Sequence, residues 1–311
     1  MSIMHQWPLW STLKLVFRRC FFLLAAGSLI ALSHPAYAGI VIEDDFGQRV
    51  ELNEPARRIV ALYGSFNEIL CSMDLGDRLV ARTSADHYPE SVVSLPSIGT
   101  HMRPNPELIV AMKPDLVLQM AGRSQATSAL EPLRKQGIPC AMFQVTSFEE
   151  LFSVIDRLGI LTAEQGRAID LVSSMKSRLA RAAAKHAGNS HSPSVFFEVR
   201  YPNLLAAGQE SIVADIIARA GGRNCVESDK KIVRIGEEEL FRLAPDIYVY
   251  QVGRMNPSPV LPSERPHFKG LEAVKNDNTL QVDESVFSRP GPRNVDAVEI
   301  LADFLFSDKE K

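Results

Sequence analysis

Along this chain, short apolar runs bounded by Gly, Pro, Asn and Asp alternate with stretches of helical period. The segment Ile40–Leu52 alternates apolar and polar residues around Asp45–Gly47, which predicts a β-hairpin. Beyond it, Arg58–Leu62, Leu79–Arg82, Leu116–Met120 and Cys140–Val145 predict strands, with helices over Asn67–Leu75 and Gln125–Gln136 between them. A further helix starts at Asn105-Pro106-Glu107, with Asn as N-cap and Pro in the first turn. The middle of the chain differs. Phe148–Leu158 and Ala163–His186 predict two consecutive helices with a short break. Thr162 and Gln165 have the spacing of a capping box. Ile169, Val172, Met175, Leu179 and Ala183 form one apolar stripe, and Gly188-Asn189 closes the helix. A helix of about 24 residues spans roughly 36 Å, enough to cross from one lobe to another. Strands then resume at Ser194–Val199, Ile247–Gln251 and Thr279–Val282, with helices at Ser211–Ala220, Glu237–Leu243 and Val295–Phe306. Arg254–Pro266 holds four prolines and reads as a loop over the surface or a cleft. Strands alternating with helices predict an α/β fold with mostly parallel sheets.

One pattern occurs twice. Arg103, Glu107 and Pro114-Asp115 are followed by the apolar run Leu116-Val117-Leu118. Arg234, Glu238 and Pro245-Asp246 are followed at the same spacing by Ile247-Tyr248-Val249. Each copy predicts a short helix with a Glu near its start, a Pro-Asp break and a buried strand. Two such units point to two similar lobes that enclose a ligand.

Residues 1–38 read as a cleavable export signal. Lys14, Arg18 and Arg19 form a basic start, Cys20–Leu32 is an apolar stretch of 13 residues, and Ala36-Tyr37-Ala38 fits a cleavage site. The apolar stretch is short for a membrane span, and Cys20 precedes it, so no lipoprotein box is present. The expected product is a soluble exported protein. Removing the leader makes the remainder three charges more negative than the chain's −3 and takes away Trp7 and Trp10, the two tryptophans. A mildly acidic chain without a basic stripe excludes nucleic acid as a natural partner. Cys71, Cys140 and Cys225 remain; an odd number leaves at least one free thiol or an intermolecular bridge, and their spacing is not that of a zinc or iron–sulfur site.

Several segments together resemble a known family. Asp45, Gly47, Arg49 and Val50; Pro55 with Arg58-Ile59-Val60-Ala61-Leu62; Lys113-Pro114-Asp115-Leu116-Val117; and Arg289-Pro290-Gly291-Pro292-Arg293 are similar to the periplasmic binding proteins for ferric siderophores, cobalamin and haem. The similarity runs from about residue 40 to 306. It implies two Rossmann-like lobes (39–158 and 191–311) joined by one long rigid α-helix (159–190), with the ligand between them. It also implies delivery to an ABC permease dimer in the inner membrane by a monomer with no intrinsic cofactor. In such proteins one surface glutamate on each lobe pairs with permease arginines, and Glu107 and Glu238 stand at those positions. Both also suit a helix N-terminus for its dipole alone.

The ligand contacts that this fold implies come from loops at the strand ends. Candidates in the first lobe are Tyr63, Tyr88, His101, Arg103 and Met120, with Met102 and the residues up to Arg123 beside them. In the second lobe they are Arg200, Tyr201, Arg234, Arg289 and Arg293, and the segment from Lys231. Tyr88 matches a family position that contacts cobalamin or ligates haem iron, and His101 falls where cobalamin binders present an aromatic ring. Either could ligate a metal; a loop-capping tyrosine and a solvated histidine are equally consistent with the sequence. The arginines suit carboxylates through their planar fork, and few broad aromatic walls remain without tryptophan. Both features favour an anionic iron chelate over cobalamin. Arg293 could instead pair with Asp296 or Glu299, and Arg289 could hold the Pro-Gly-Pro loop. No nucleophile elbow, phosphate loop, His-Glu-x-x-His or Cys-x-x-Cys points to an enzyme. Five histidines remain, and His186 and His191 lie at the end of the long helix, leaving few for a bare-ion site. A sensory domain of the same fold would not need the paired glutamates.

Overall fold

The computed structural model describes residues 39–122, 127–189 and 191–306. The expected leader, residues 1–38, lies outside them, as do Arg123 and the residues that follow it to 126. Strands β1 (Ile40–Glu43) and β2 (Arg49–Leu52) form the antiparallel hairpin. Its turn is fixed by Asp44, whose Oδ1 accepts the N–H groups of Phe46 and Gln48, each at 2.9 Å. The other oxygen accepts the Met142 N–H at 3.0 Å, tying the hairpin to the first sheet.

The first lobe contains β3 (Ile59–Ala61), α1 (Gly64–Ser72), β4 (Leu79–Ala81), the two-residue ribbon β5 (Gly99–Thr100) and β6 (Arg103–Pro104), α2 (Pro106–Ala111), β7 (Leu116–Met120), α3 (Glu131–Arg134) and β8 (Cys140–Phe143). Its sheet runs β4-β3-β7-β8 and is wholly parallel. Every residue of β3, β7 and β8 is buried, so these strands read as continuous apolar runs instead of alternating ones. Among the described residues of the predicted 125–136 helix, 127–128 and Glu131–Arg134 are helical, with a turn between them.

Helices α4 (Phe148–Thr162) and α5 (Gln165–Ala184) follow. The Ser147 hydroxyl accepts the Glu150 N–H at 3.2 Å, capping α4. The capping box expected at Thr162 does not form. Thr162 is buried as the last residue of α4, and its hydroxyl donates back to the Leu158 carbonyl at 2.7 Å. The chain turns instead through Ala163, which is left-handed at φ 55°. Helix α5 has 20 residues, about 30 Å, shorter than expected at both ends. Ala168, Val172, Met175, Leu179 and Ala182 are its buried stripe.

The second lobe contains β9 (Ser194–Arg200), β10 (Leu205–Ala207), α6 (Ile212–Arg219), β11 (Arg223–Asn224), β12 (Ile232–Arg234), α7 (Glu237–Leu243), β13 (Ile247–Val252), α8 (Glu272–Lys275), β14 (Thr279–Asp283), α9 (Glu284–Phe287) and α10 (Asn294–Phe306). Its sheet runs β12-β10-β9-β13-β14, with β11 also beside β9. Strands β9, β11, β13 and β14 are parallel, while β10 is antiparallel to both neighbours. The molecule is thus an α/β protein of two lobes with mostly parallel sheets. Helix α5 packs on α4, α6 and α10. Arg178 bonds Asp296 and Glu299, and Lys185 bonds Asp303, so the α5–α10 seam is pinned at two levels. One apolar core continues from the hairpin through α5 to α10. No helix of the described residues is long and apolar enough to cross a membrane.

The sequence repeat has a structural meaning. Lys113 and Ala244, at equivalent positions, are both left-handed (φ 48° and 41°) and end α2 and α7. Asp115 then accepts the N–H groups of Arg57 and Arg58 at 2.8–3.0 Å, fixing the chain as it enters β3. Asp246 accepts the N–H and hydroxyl of Ser194 at 2.7 Å each, fixing the start of β9.

Candidate functional site

The two lobes enclose a cavity of about 630 Å³, within the ~300–1,000 Å³ usual for small-molecule sites. Most of its lining follows the carboxyl ends of strands, where open α/β sheets bind ligands. From the first lobe come Tyr63 and Gly64 after β3, Asp86 after β4, His101 and Met102 at the ribbon tip, and Met120 at the end of β7. From the second come Ile212 and Val213 of α6, Lys231 before β12, Arg254 and Met255 after β13, and Glu284 and Arg289 around α9.

Each polar group is placed by a local device. The Tyr63 and His101 rings meet edge to face at 5.6 Å. Gln119 Nε2 donates to the His101 carbonyl at 3.1 Å and holds the ribbon over the sheet. Burial lowers the His101 pKa; Asp86 opposes this, while Arg254 and Arg289 reinforce it, so the imidazole is kept neutral. Burial likewise raises the Tyr63 hydroxyl. Asp86 is itself buried and accepts the Thr83 N–H at 2.9 Å and hydroxyl at 2.8 Å. Gly64 permits a close approach: a Cβ there would lie 2.7 Å from Asp86 Oδ1 and 2.8 Å from Arg289 Nη1. Lys231 is exposed to the cavity that it lines, and partial loss of hydration there lowers its pKa. Glu284 accepts the Met255 N–H at 2.7 Å, which orients the loop after β13.

Beside the cavity a charged contact joins the lobes. Glu68 of α1 is 3% exposed and accepts Arg293 Nε at 2.9 Å and Nη2 at 2.6 Å, with Arg289 Nη1 3.9 Å away. Burial raises the Glu68 pKa against the pull of Arg293. For Arg293 burial works the other way, but its bond to Glu68 prevails and raises its pKa. The Arg293 guanidinium also lies 3.9 Å from the Tyr88 ring centroid. A second anchor holds the proline-rich loop. Buried Arg265 pairs with buried Glu198, donates twice to the Val260 carbonyl at 2.9 and 2.7 Å, and lies 3.9 Å over the Tyr201 ring.

Of the residues proposed from the sequence, Tyr63, His101, Met120 and Arg289 line the cavity. Tyr88 and Arg293 belong to the cross-lobe contact, and the alternative partners of Arg293, Asp296 and Glu299, are held by Arg178. Tyr201 is engaged by Arg265 and Phe268. Arg234 bonds Asn203 Oδ1 at 2.6 Å, and Arg103 and Arg200 are exposed away from the cavity wall. Sequence reasoning missed Glu68, Arg254, Glu284 and the Glu198–Arg265 pair. Glu68 carried a signal, being a lone charge inside the run Phe66–Leu70. Cys71, Cys140 and Cys225 are separate thiols, with Cys140 and Cys225 pushed up to about 12 by burial. Among the described residues, no group of three or more His, Cys, Asp or Glu is arranged to hold a metal ion.

A family profile described as periplasmic binding protein matches residues 59–286, nearly the whole span of both sheets. The chain belongs to the periplasmic binding protein family. Among relatives of this periplasmic binding protein, a Bacillus subtilis protein described as an uncharacterized ABC transporter substrate-binding lipoprotein, YvrC, is 29% identical over 277 residues, covering 88% of this chain and 87% of that one. The vitamin B12-binding protein of Vibrio cholerae is 25% identical over 260 residues, covering 81% and 90%. A Staphylococcus epidermidis crystal structure, described as a possible iron-binding (periplasmic solute-binding) protein, superposes with a TM-score of 0.70 at 26% identity, covering 82% of this chain and all of that one. In this periplasmic binding protein Glu107 and Glu238 are both exposed, each in the first turn of its helix, α2 and α7.

Proposed function

We propose that this protein is the periplasmic substrate-binding component of an ABC importer and carries a ferric-siderophore-type iron chelate. The observation that carries this reading is the cavity: apolar over much of its wall, lined by both lobes, and furnished with three cations (Lys231, Arg254 and Arg289) against two carboxylates (Asp86 and Glu284) and one neutral histidine. Such a site suits a compact ligand with an apolar body and acidic groups, held by non-covalent contacts alone. The relatives named for ABC transport, iron and vitamin B12 agree with the coarse reading and leave the ligand to experiment. Tyr63, His101, Met120 and Arg289 are the proposed ligand contacts. Glu107 and Glu238 are the proposed contacts to a permease dimer, residues 1–38 the export leader, and residues 159–190 the span joining the lobes of a monomer.

Haem is the second reading, with cobalamin behind it. It is favoured by His101, whose neutral imidazole faces the cavity with Met102 and Met120 also in its wall. The test is to purify the leaderless chain, incubate it separately with ferric siderophores, haemin and cyanocobalamin, desalt, and record the visible spectrum. Retention of a ferric-siderophore band supports the proposal. A haem band shifted from free haemin, and lost in His101→Ala, favours the second reading. Retention of none of them rejects a coloured chelate as the cargo.

A further inference from the structure

Most of the arginines that the sequence offers for an anionic ligand are engaged elsewhere. Arg293 is held by Glu68 and stacked on Tyr88, Arg234 is bonded to Asn203, and Arg289 stands between Glu68 and the Asp86 carboxylate at Gly64. Two other cations in the cavity wall have no such partner. Among the described residues, the side chains of Lys231 and Arg254 make no hydrogen bond or ion pair. A cation in a concave, partly dehydrated wall is costly unless a counter-charge arrives. Lys231 is in that situation, since lost hydration already disfavours its charged form. Arg254 is exposed and lines the same cavity as His101 of the opposite lobe, whose lowered pKa it reinforces. Its loop is not loose: Glu284 receives the neighbouring Met255 N–H, and Arg265 fastens the far end to Glu198. The two cations also approach from different places, Lys231 ahead of the edge strand β12 and Arg254 after β13.

We infer that Lys231 and Arg254 are the charge-selecting residues of this cavity, and that they restrict its ligand to a net-anionic chelate by supplying counter-charges from two sides of the second lobe. This rests on the cavity being the ligand site, as proposed above. Arg293 is then a lobe-joining residue that holds the cavity in shape, and Arg289 remains a ligand contact beside it.

The test uses the leaderless chain and four coloured probes: the trianionic ferric complex of a tris-catechol siderophore, haemin with its two carboxylates, neutral cyanocobalamin and cationic ferrioxamine B. Affinities are measured by equilibrium dialysis, read by probe absorbance, for the native chain, Lys231→Gln, Arg254→Gln, and Lys275→Gln as an exposed control outside the cavity. The expected result is binding of an anionic probe in preference to the neutral and cationic ones. Each cavity variant should then lose about tenfold or more for that probe, the size of a charge-assisted contact, while Lys275→Gln is unchanged. Raising NaCl should weaken the native complex more than either variant's. If an anionic probe binds and both cavity variants keep native affinity, the inference is overturned. Preferential binding of cyanocobalamin or ferrioxamine B overturns it while leaving the cavity's role intact. If no probe of any charge binds, the inference falls together with the chelate reading.

Discussion

Glu68 places a carboxylate, 3% exposed, inside an apolar helix and spends it on Arg293 across the lobe boundary. Glu68→Gln leaves that guanidinium without its counter-charge and should lower stability by about 2–3 kcal/mol in urea unfolding. Glu68→Met combined with Arg293→Leu should cost less than the sum of the single changes, because neither partner is then left buried and unpaired. His101 gives a pH signature. Its folded pKa lies below 6.5, so on acidification the unfolded chain takes up the proton first. Stability should therefore fall as pH drops through and below 6.5, and His101→Gln should flatten that part of the profile. An NMR titration of His101 with a midpoint at or above 6.5 would contradict this. Gly64→Ala sets a Cβ against Asp86 and Arg289, and should cost about 1–3 kcal/mol with a loss of ligand affinity.

At the level of elements, the repeated helix–Pro-Asp–strand unit is built the same way twice: an exposed glutamate in the first turn, a left-handed residue at the stop, and an aspartate that fastens the neighbouring strand. Left-handed Ala244 carries about 1 kcal/mol of strain that glycine avoids, set against a glycine entropy cost of about 0.5 kcal/mol. Ala244→Gly should thus leave stability unchanged or slightly higher. Ala180→Gly, exposed in the interior of α5, should lower it by about 1 kcal/mol, read from the same urea curves. Long α5 was legible because it repeats one clear period over enough residues, and the fully buried strands because each is a continuous apolar run bounded by turn residues. The three-residue β10 and β12 were not, since so short a run shows no period, and their antiparallel pairing is imposed by the returning chain. Thr162 misled because its cap spacing is correct, but burial at the end of α4 turned its hydroxyl inward.

For the whole molecule, the connection between lobes is a packed helix tied to α10 by Arg178 and Lys185, with Glu68–Arg293 as a second tie. Ligand binding should produce small lobe shifts and nearly superimposable small-angle scattering curves with and without ligand; a large compaction would contradict this. Exposed Glu107 and Glu238 should act in delivery alone. The double variant Glu107→Ala, Glu238→Ala should bind ligand with native affinity and lose uptake in a transport assay, and undiminished uptake would reject the docking role.

The sequence alone determined the α/β alternation, the long central helix, the duplicated unit and the family resemblance, because these rest on local periods, caps and short segments read in order. It also named Tyr63 and Met120, which follow or end predictable strands, and His101 and Arg289, which came with the resemblance; all four line the cavity. Only the tertiary structure decided which charges meet. Glu68 and Arg293 lie far apart in the chain, as do Glu198 and Arg265, and their pairing depends on how the lobes and the proline-rich loop pack. Counting arginines could not separate those engaged by buried acids from Lys231 and Arg254, because a counter-charge is a matter of distance in space, to which spacing along the chain is blind.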